Sequence, residues 1–200
     1  MSNGTGGAVP STAPPGTPRP RRADARRNQE ALLDAAAAVF VTCGVEAPLR
    51  RIAAEAGVGT ATIYRHFPTR ADLIIAVYEH QVEGLADAAP HLLETCASPF
   101  EALTRWIDGF VDFLVTKHGL AAVMQSDDRC FDPLHAYFLE RLVPACALLV
   151  DAAVASGEIA TPIEPLELMR GVGNLCAGAT SSHGFDARRL VGLLVAGLRA

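Results

Sequence analysis

Residues 49–67 read LRRIAAEAGVGTATIYRHF, and this stretch decides the fold of the chain. Its first eight residues place apolar side chains every three or four positions, which is the pattern of one buried face on a short helix. Gly57 ends that helix, because glycine adopts a positive φ without steric cost. Thr60–His66 predicts a second helix, with Ile63 and Phe67 turned inward. The stretch therefore predicts two short helices joined by a tight turn.

The outward surface of the second helix carries short hydrogen-bonding groups. A helix-turn-helix places its second helix in the DNA major groove, where such groups meet base edges and phosphates. Thr60 and Ala61 lie where base edges would be met, and an alanine methyl packs on a thymine methyl. Arg51 and Arg65 fit an ordinary solvated surface equally well. The candidate DNA-contacting residues from this pattern are Arg50, Arg51, Gly59, Thr60, Ala61, Thr62, Tyr64, Arg65 and His66.

The run AGVGTATIYRHFPTRADL, residues 56–73, resembles the signature of the TetR family of bacterial transcriptional regulators. The resemblance is close from Arg22 to Val77 and extends beyond that region only in helical plan. Many members carry Ser where this chain has Gly59. Glycine can keep the same backbone shape at a cost of roughly a few tenths of a kcal/mol in helix stability. Phosphate contacts fix register without reading sequence. The resemblance implies such contacts for Tyr64, His66 and Arg70.

Composition indicates an all-α protein. Of the 200 residues, 50% are hydrophobic, Ala and Leu dominate, and β-branched runs are short. This length suits one or two compact domains with a proper core. No apolar run is long enough to span a membrane, and the N-terminus lacks the charged-then-apolar order of a secretory signal. We therefore expect a cytoplasmic protein.

The charge distribution modifies what the net charge of −5 implies. An acidic chain argues against a nucleic-acid partner, but residues 1–70 carry nine arginines and five acidic residues, a net charge of +4. The remaining residues carry eight basic and seventeen acidic side chains, a net charge of −9. A basic front and an acidic body fit a DNA reader joined to a regulatory domain. Taken without the motif, a chance polarity of solvated faces fits equally well.

The chain divides into three parts. Residues 1–20 are rich in Gly, Pro, Ser and Thr, so we expect a disordered tail. Residues 21–68 form the expected DNA-binding domain of three helices, the first covering Ala23–Cys43. The basic stretch Arg19–Arg27 is either an arm that reaches DNA or a solvated helix start. Residues 69–200 form the expected effector-binding and dimerisation domain, which brings the total to about nine helices.

Capping residues and prolines divide this larger domain into helices. Thr69, with Asp72 three residues later, is the expected N-cap of the fourth helix, and Pro90 is expected to end it. Ser98 and the proline after it are expected to open the next helix. A kink or break is expected at Pro144. The predicted helices cover Arg70–Ala88, Ser98–Lys117, Gly119–Ser126, Asp132–Ser156, Glu164–Ser181 and Phe185–Arg199.

Aromatic and apolar residues of this domain are candidates for a ligand pocket. Pockets are mostly apolar with few polar anchors, and His135 or Asn174 is the expected anchor. An aromatic stripe at helical spacing is more often plain core, so both interpretations stay open. The candidate pocket residues are Trp106, Phe110, Phe113, Met124, His135, Phe138, Asn174 and Cys176.

The last two predicted helices are apolar over most of their circumference, which indicates burial on several sides. The resemblance implies that they pair with a second copy as a four-helix bundle. A two-fold symmetric DNA reader also needs paired recognition helices. The alternative is a monomer that hides these faces internally. The expected homodimer contacts are Met169, Val172, Leu190, Leu194 and Leu198.

Sequence motifs argue against an enzyme. The patterns G-x-S-x-G, H-E-x-x-H and C-x-x-C are missing, and the single lysine, Lys117, lies outside any phosphate-binding loop. We expect no cofactor and no metal. The spacing of three aspartates and one histidine near residue 130 matches no pattern of metal ligands, and a solvated turn explains it better. These residues are Asp127, Asp128, Asp132 and His135. Five scattered cysteines indicate small core residues in a reducing compartment.

The predicted function is DNA-binding transcriptional regulation, by a repressor that a small-molecule effector releases from its operator. The partners would be a double-stranded DNA operator, an effector and a second copy of the chain. One alternative is a helical ligand-binding or scaffold protein that has lost DNA binding. A more remote alternative is a cofactor-free enzyme in the helical cavity.

Overall fold

The computed structural model describes Met1 and residues 19–124, 131–160, 163–179 and 186–199. Within these ranges the extended structure is one isolated antiparallel bridge, between Ile159 and Arg199. The all-α prediction is confirmed. The helices are α1 (Arg19–Cys43), α2 (Leu49–Glu55), α3 (Thr60–His66), α4 (Arg70–Thr95), α5 (Pro99–Met124), α6 (Phe131–Ala155), α7 (Pro165–Ala179) and α8 (Ala187–Ala196).

Helices α1–α3 form an N-terminal bundle, and α4–α8 form a C-terminal bundle. Gly44 ends α1 with a φ of 75°, a conformation that favours glycine. Ala36, Phe40, Ile52 and Ile63 belong to the buried core that runs through both bundles. Among the described residues, no helix has the length and apolar character that a membrane span requires.

Two predicted helix caps are confirmed. The Asp72 backbone N–H donates to the Thr69 hydroxyl oxygen at 3.1 Å, and the Thr69 N–H donates to the Asp72 carboxylate at 2.9 Å. This reciprocal pair is a capping box, which fixes where α4 starts. At the start of α5 the Glu101 N–H donates to the Ser98 hydroxyl oxygen at 3.3 Å.

The predicted helix end at Pro90 is wrong. At Pro144 the predicted break is also wrong, and a kink there stays a prediction. Helix α4 continues to Thr95, and α6 runs unbroken through Pro144. Both prolines are exposed, so neither ring is packed against a neighbouring helix. Ala89, next to Pro90, is 0% exposed, and its packing offsets the local cost of proline in α4.

Other predicted boundaries also shift. Gly119 does not open a separate helix, because α5 continues to Met124, and the described chain has eight helices. An interior glycine costs roughly 1 kcal/mol relative to alanine, which packing overrides. Helix α1 already begins at Arg19, inside the segment predicted as tail. Residues 2–18 of that tail and residues 125–130 lie outside the described residues.

Candidate nucleic-acid interface

The turn between α2 and α3 has the predicted geometry. Gly57 has a φ of 65°, in the left-handed region that favours glycine. The Val58 N–H donates to the Ala53 carbonyl at 2.9 Å, and the Ala56 N–H donates to the Ile52 carbonyl at 2.9 Å. These bonds satisfy carbonyls at the end of α2 and turn the chain sharply towards α3.

Helix α3 has one buried and one exposed face. Ile63 and Phe67 are 1% and 6% exposed, and they anchor the helix in the N-terminal bundle. Tyr64 is 56% exposed, and His66 also lies on the surface. Tyr64 is thus the large side chain that α3 presents to solvent beside its anchored face. The predicted outward face is confirmed for Thr60, Tyr64 and His66, whereas Thr62 is half-buried.

The remaining predicted contact residues divide by exposure. Arg50, Arg51, Thr60, Ala61 and Arg65 are exposed, whereas Thr62 is half-buried and so less accessible. Residues 49–67 contain three arginines and one glutamate, so this segment is positively charged although the whole chain is acidic. Positive charge on the surface around α3 favours the approach of a phosphate backbone.

Gly59 occupies the N-cap position of α3 with an extended backbone, φ −79° and ψ 148°, and provides no side-chain cap. A Cβ placed on Gly59 would have no neighbour within 4 Å. The site therefore has room for the serine that many family members carry there.

Arg70 has a structural role that the sequence did not predict. Its guanidinium donates to the Val45 carbonyl and, at 2.9 Å, to the Ala47 carbonyl, both in the loop between α1 and α2. These loop carbonyls need a donor because they lie outside a helix. Arg70 thus fastens the start of α4 to the N-terminal bundle. A phosphate contact by its remaining donors stays a prediction.

A second site, the α5–α7 pocket, lies between α5, α6 and α7. Its volume is about 220 Å³. Four predicted pocket residues line it, with His135 and Asn174 exposed as polar groups next to the buried rings of Phe110 and Phe138. The lining residues are Phe110, Leu114, His135, Phe138, Leu139, Leu166, Met169, Arg170, Gly173 and Asn174.

The other predicted pocket residues do not line this pocket. The indole N–H of Trp106 donates to the Leu85 carbonyl at 2.8 Å, so this buried residue is satisfied core. Phe113 lines a different groove, and Cys176 is buried in the core, where burial raises the pKa of its thiol. The Met124 side chain lies outside the described residues.

Within the C-terminal bundle, α4 is held to α6 through Glu83. The Arg141 guanidinium donates to both Glu83 carboxylate oxygens, with Nε at 2.8 Å, and the Tyr137 hydroxyl also donates to Glu83. The Arg141 guanidinium, followed by the Tyr137 hydroxyl, holds the pKa of the Glu83 carboxyl below its usual range. Burial and the Glu83 charge raise the pKa of Tyr137 to about 12. Both partners lie on α6, next to Phe138 of the pocket.

A further contact joins α4 to the N-terminal bundle. The His80 ring Nε2 lies 2.8 Å from the Asp34 carboxylate of α1. Together with Arg70, this contact shows that α4 touches both bundles. The basic stretch Arg19–Arg27 belongs to α1, and the Arg26 Nε donates to Glu30 at 2.8 Å. This agrees with a helix start, and a DNA contact from it stays a prediction.

Two predicted dimer residues are misplaced. Met169 and Val172 are buried inside the protomer, where they cannot offer a surface to a second copy. The helical period placed them on the apolar side of α7, but that side packs on its own bundle. Leu193 on α8 is 61% exposed instead. The other three predicted residues are half-buried: Leu190, Leu194 and Leu198.

The described residues contain no group of three or more His, Cys, Asp or Glu side chains arranged to hold a metal. Asp127 and Asp128 fall outside the described residues, as does the side chain of Asp132.

Cys146 is buried, and its burial raises the pKa of the thiol to about 12, so it stays protonated.

Comparisons with known proteins agree with this geometry. Bacterial regulatory proteins of the tetR family match residues 32–77, and the C-terminal domain of SbtR-like transcriptional regulators matches residues 98–200. The TetR transcriptional regulator SCO0520 from Streptomyces coelicolor is 36% identical, with a TM-score of 0.70 over 86% of this chain and 98% of that one.

Two relatives from Mycolicibacterium smegmatis match over shorter stretches. The HTH-type transcriptional activator FasR is 35% identical over 46% of this chain and 41% of its own length. The HTH-type transcriptional repressor LfrR is 39% identical over 40% of this chain and 41% of its own length. The chain thus spans about two fifths of the length of these curated relatives.

An anchored α3 with an exposed polar face, set on a larger helical bundle, defines the class of helix-turn-helix regulators. The chain belongs to the TetR family of bacterial regulatory proteins. Members of this family are DNA-binding transcriptional regulators rather than enzymes, which confirms the predicted family and class.

Proposed function

We propose that this protein is a dimeric repressor that binds operator DNA through α3 and leaves it when a small molecule occupies the α5–α7 pocket. The observation that carries the proposal is the two-faced α3, with Ile63 buried and Tyr64 exposed. The relatives FasR and LfrR are an activator and a repressor, respectively, so relatedness supports either sign of control. Repression is the commoner mode implied by the family resemblance.

In the proposed complex, α3 lies in the major groove. Thr60 and Ala61, at its N-terminal end, read base edges, and Tyr64 and His66 contact phosphates. Arginines on the same surface add non-specific attraction, which falls as salt rises. The proposed DNA-contacting residues are Arg50, Arg51, Gly59, Thr60, Ala61, Thr62, Tyr64, Arg65, His66 and Arg70.

The proposed dimer pairs α7 and α8 of two copies. Leu193 is exposed on α8, and Gly192, Ala196 and Gly197 beside it are small, so a second helix can approach closely. Pairing of this kind would give two copies of α3 a fixed separation. Two successive major grooves lie about 34–36 Å apart, and only a matching separation binds both.

The proposed switch uses α4. The pocket wall residue Phe138 is next to Tyr137, which holds Glu83 of α4, and α4 holds the N-terminal bundle through Arg70. An effector that moves α6 would therefore shift α4. The pocket is below the usual range of roughly 300–1,000 Å³, so a small effector fits, or the pocket widens on binding. A coupling free energy of roughly 1–3 kcal/mol is typical of such systems.

The DNA-binding part is tested by selecting bound fragments from genomic DNA and measuring their affinity by fluorescence anisotropy at several salt concentrations. Tyr64→Phe removes only a hydroxyl and should weaken binding by roughly tenfold, as expected for one hydrogen bond to a charged group. The double variant Tyr64→Ala, His66→Ala should abolish specific binding. Arg105→Ala, an exposed arginine on α5, is the control. If no fragment is selected, or the double variant binds normally, DNA reading through α3 is wrong.

The effector part is tested by mass spectrometry of any small molecule that copurifies, followed by DNA titration with that molecule added. Gly173→Leu fills the pocket, since a Cβ on Gly173 has no neighbour within 4 Å. The variant should bind DNA normally but no longer respond to the molecule. Unchanged DNA affinity of the parent protein at saturating ligand would contradict the switch. A reporter gene behind the selected fragment then distinguishes repression from activation.

A further inference from the structure

A groove of about 510 Å³ lies where α1 of the N-terminal bundle meets α4 and α5. We call it the junction groove. Its volume falls within the range of small-molecule sites, roughly 300–1,000 Å³. The α5–α7 pocket also borders α5, but its other walls are α6 and α7, and the two spaces share no lining residue. The proposed repressor function does not use this groove.

Small residues from three helices line much of the junction groove: Ala37 and Ala38 of α1, Gly84 and Ala88 of α4, and Gly109 of α5. A Cβ on Gly109 would lie 3.3 Å from a methyl of Leu85, so glycine lets α4 and α5 approach closely. A Cβ on Gly84 would meet nothing within 4 Å, so open space lies above that position. An apolar floor of small side chains leaves room for a planar ring to lie against it.

One end of the groove is polar. Arg188 of α8 donates to the Asp112 carboxylate of α5, and both residues line the groove. Asp112, followed by Asp108, raises the pKa of the Arg188 guanidinium, so two carboxylates act on one positive group. Asp112 and Asp108 thus place two negative charges against the one positive charge of Arg188. The local excess of negative charge favours a cation over an anion.

We propose that the junction groove binds a flat aromatic cation, whose ring lies on the alanine and glycine floor and whose positive group lies beside Asp112. Because α1 belongs to one bundle and α4 and α5 to the other, the bound ring contacts both. Such a ligand would set the angle between the N-terminal bundle and α4. Occupancy would then change DNA binding without a ligand in the α5–α7 pocket.

Two matched glycine variants test the location. The full chain, without DNA, is titrated with the fluorescent cation 9-aminoacridine, and the parent protein is expected to bind it. Gly84→Leu fills the junction groove, whereas Gly173→Leu fills the α5–α7 pocket, and each site leaves space for the new side chain. Gly84→Leu should weaken binding by at least about tenfold, equivalent to 1.4 kcal/mol, and Gly173→Leu should change it little. Loss with Gly173→Leu alone, equal binding by all three proteins, or no binding by the parent overturns the proposal.

Helical circular dichroism and thermal unfolding check that each variant folds. Leucine is a better helix former than glycine, so both substitutions favour the helix. Ala38→Leu fills the groove from its α1 wall and should also weaken binding. If Gly84→Leu fails to fold, normal binding by Ala38→Leu overturns the proposal.

Charge selectivity is tested with a ligand of the same ring and opposite charge. Acridine-9-carboxylate should bind at least about tenfold more weakly than 9-aminoacridine. Asp112→Asn should reduce the preference for the cation, whereas Asp151→Asn, an exposed acid on α6, should leave it unchanged. Equal binding of the two acridines, or a preference unaffected by Asp112→Asn, overturns the cation assignment. Because no DNA is present, these results do not depend on whether α3 reads an operator.

Discussion

Helices α3 and α4 follow each other in the chain but are held in different ways. Helix α3 has seven residues and no side-chain cap, whereas α4 has 26 residues and a complete capping box. A seven-residue helix is unstable alone in water, so α3 depends on the burial of Ile63 and Phe67. Helix α4 has its own cap and contacts both bundles. The short helix thus keeps its outer face free for a partner, and the long helix can carry a movement.

The largest expected effect is that of Ile63→Ala. Ile63 is 1% exposed, so its truncation removes apolar burial and leaves a cavity. The free energy of unfolding should fall by roughly 2–5 kcal/mol. Urea unfolding followed by circular dichroism measures the change. Tyr64→Ala, the exposed neighbour on α3, should change stability by about 0.5 kcal/mol or less. A small effect of Ile63→Ala would show that packing does not hold α3.

Arg70→Met should have the next largest effect. Methionine keeps much of the apolar stem but leaves the Val45 and Ala47 carbonyls without their donor. We expect a loss of about 2 kcal/mol in the free energy of unfolding, since hydrogen bonds from charged groups are typically worth roughly 1.5–3 kcal/mol. Arg65→Met, on the exposed surface of α3, is the control. Unchanged stability combined with weaker DNA binding would assign Arg70 to phosphate alone.

Glu83→Gln probes the attachment of α4 to α6. It keeps the shape but removes the charge that Arg141 and Tyr137 bind. Because the ion pair is partly exposed, we expect a loss of about 1 kcal/mol at neutral pH, the upper end for such pairs. Glu94→Gln, an exposed acid on α4, should have no comparable effect. Urea unfolding of the three proteins at several pH values measures both the size and the pH dependence.

The pH dependence follows from the lowered pKa of Glu83. A carboxyl whose pKa is lower in the folded protein contributes fully above its unfolded pKa, near 4.3. That contribution is lost as the pH falls through the folded pKa. The difference between the parent and Glu83→Gln should therefore be largest above about pH 5 and shrink towards pH 3. A constant difference across this range would mean that charge is not what Glu83 provides.

The same contrast explains what the sequence could predict. In α3 the buried and exposed sides follow the helical period, so the sequence alone separates Ile63 from Tyr64 correctly, although Thr62 is half-buried. The caps at Thr69 and Ser98 were also predictable, because each involves residues only three apart. Local chemistry within one or two turns was sufficient for these features.

Long-range pairing was not predictable in this way. Arg70 meets carbonyls that lie 23 and 25 residues earlier in the chain, and no local pattern marks such a partner. The predicted helix end at Pro90 is wrong because the exposure of Pro90 and the burial of Ala89 depend on the neighbouring helices. In the C-terminal bundle, Trp106 and Phe110 have the same helical pattern. Only the packing of the helices determines that Trp106 is a core residue whose N–H is hydrogen-bonded, whereas Phe110 lines the α5–α7 pocket.

The smallest expected effect is that of Gly59→Ser, which would make the start of α3 more like that of α4. Position 59 already has an extended backbone and free space, so serine can accept a hydrogen bond from the start of α3 without a clash. The free energy of unfolding should rise by roughly a few tenths of a kcal/mol, whereas Thr69→Ala should lower it by roughly 1 kcal/mol. Paired urea titrations against the parent resolve these opposite signs. If Gly59→Ser lowers the free energy of unfolding, α3 requires a start without a side-chain cap. The difference between the starts of α3 and α4 would then be functional rather than incidental.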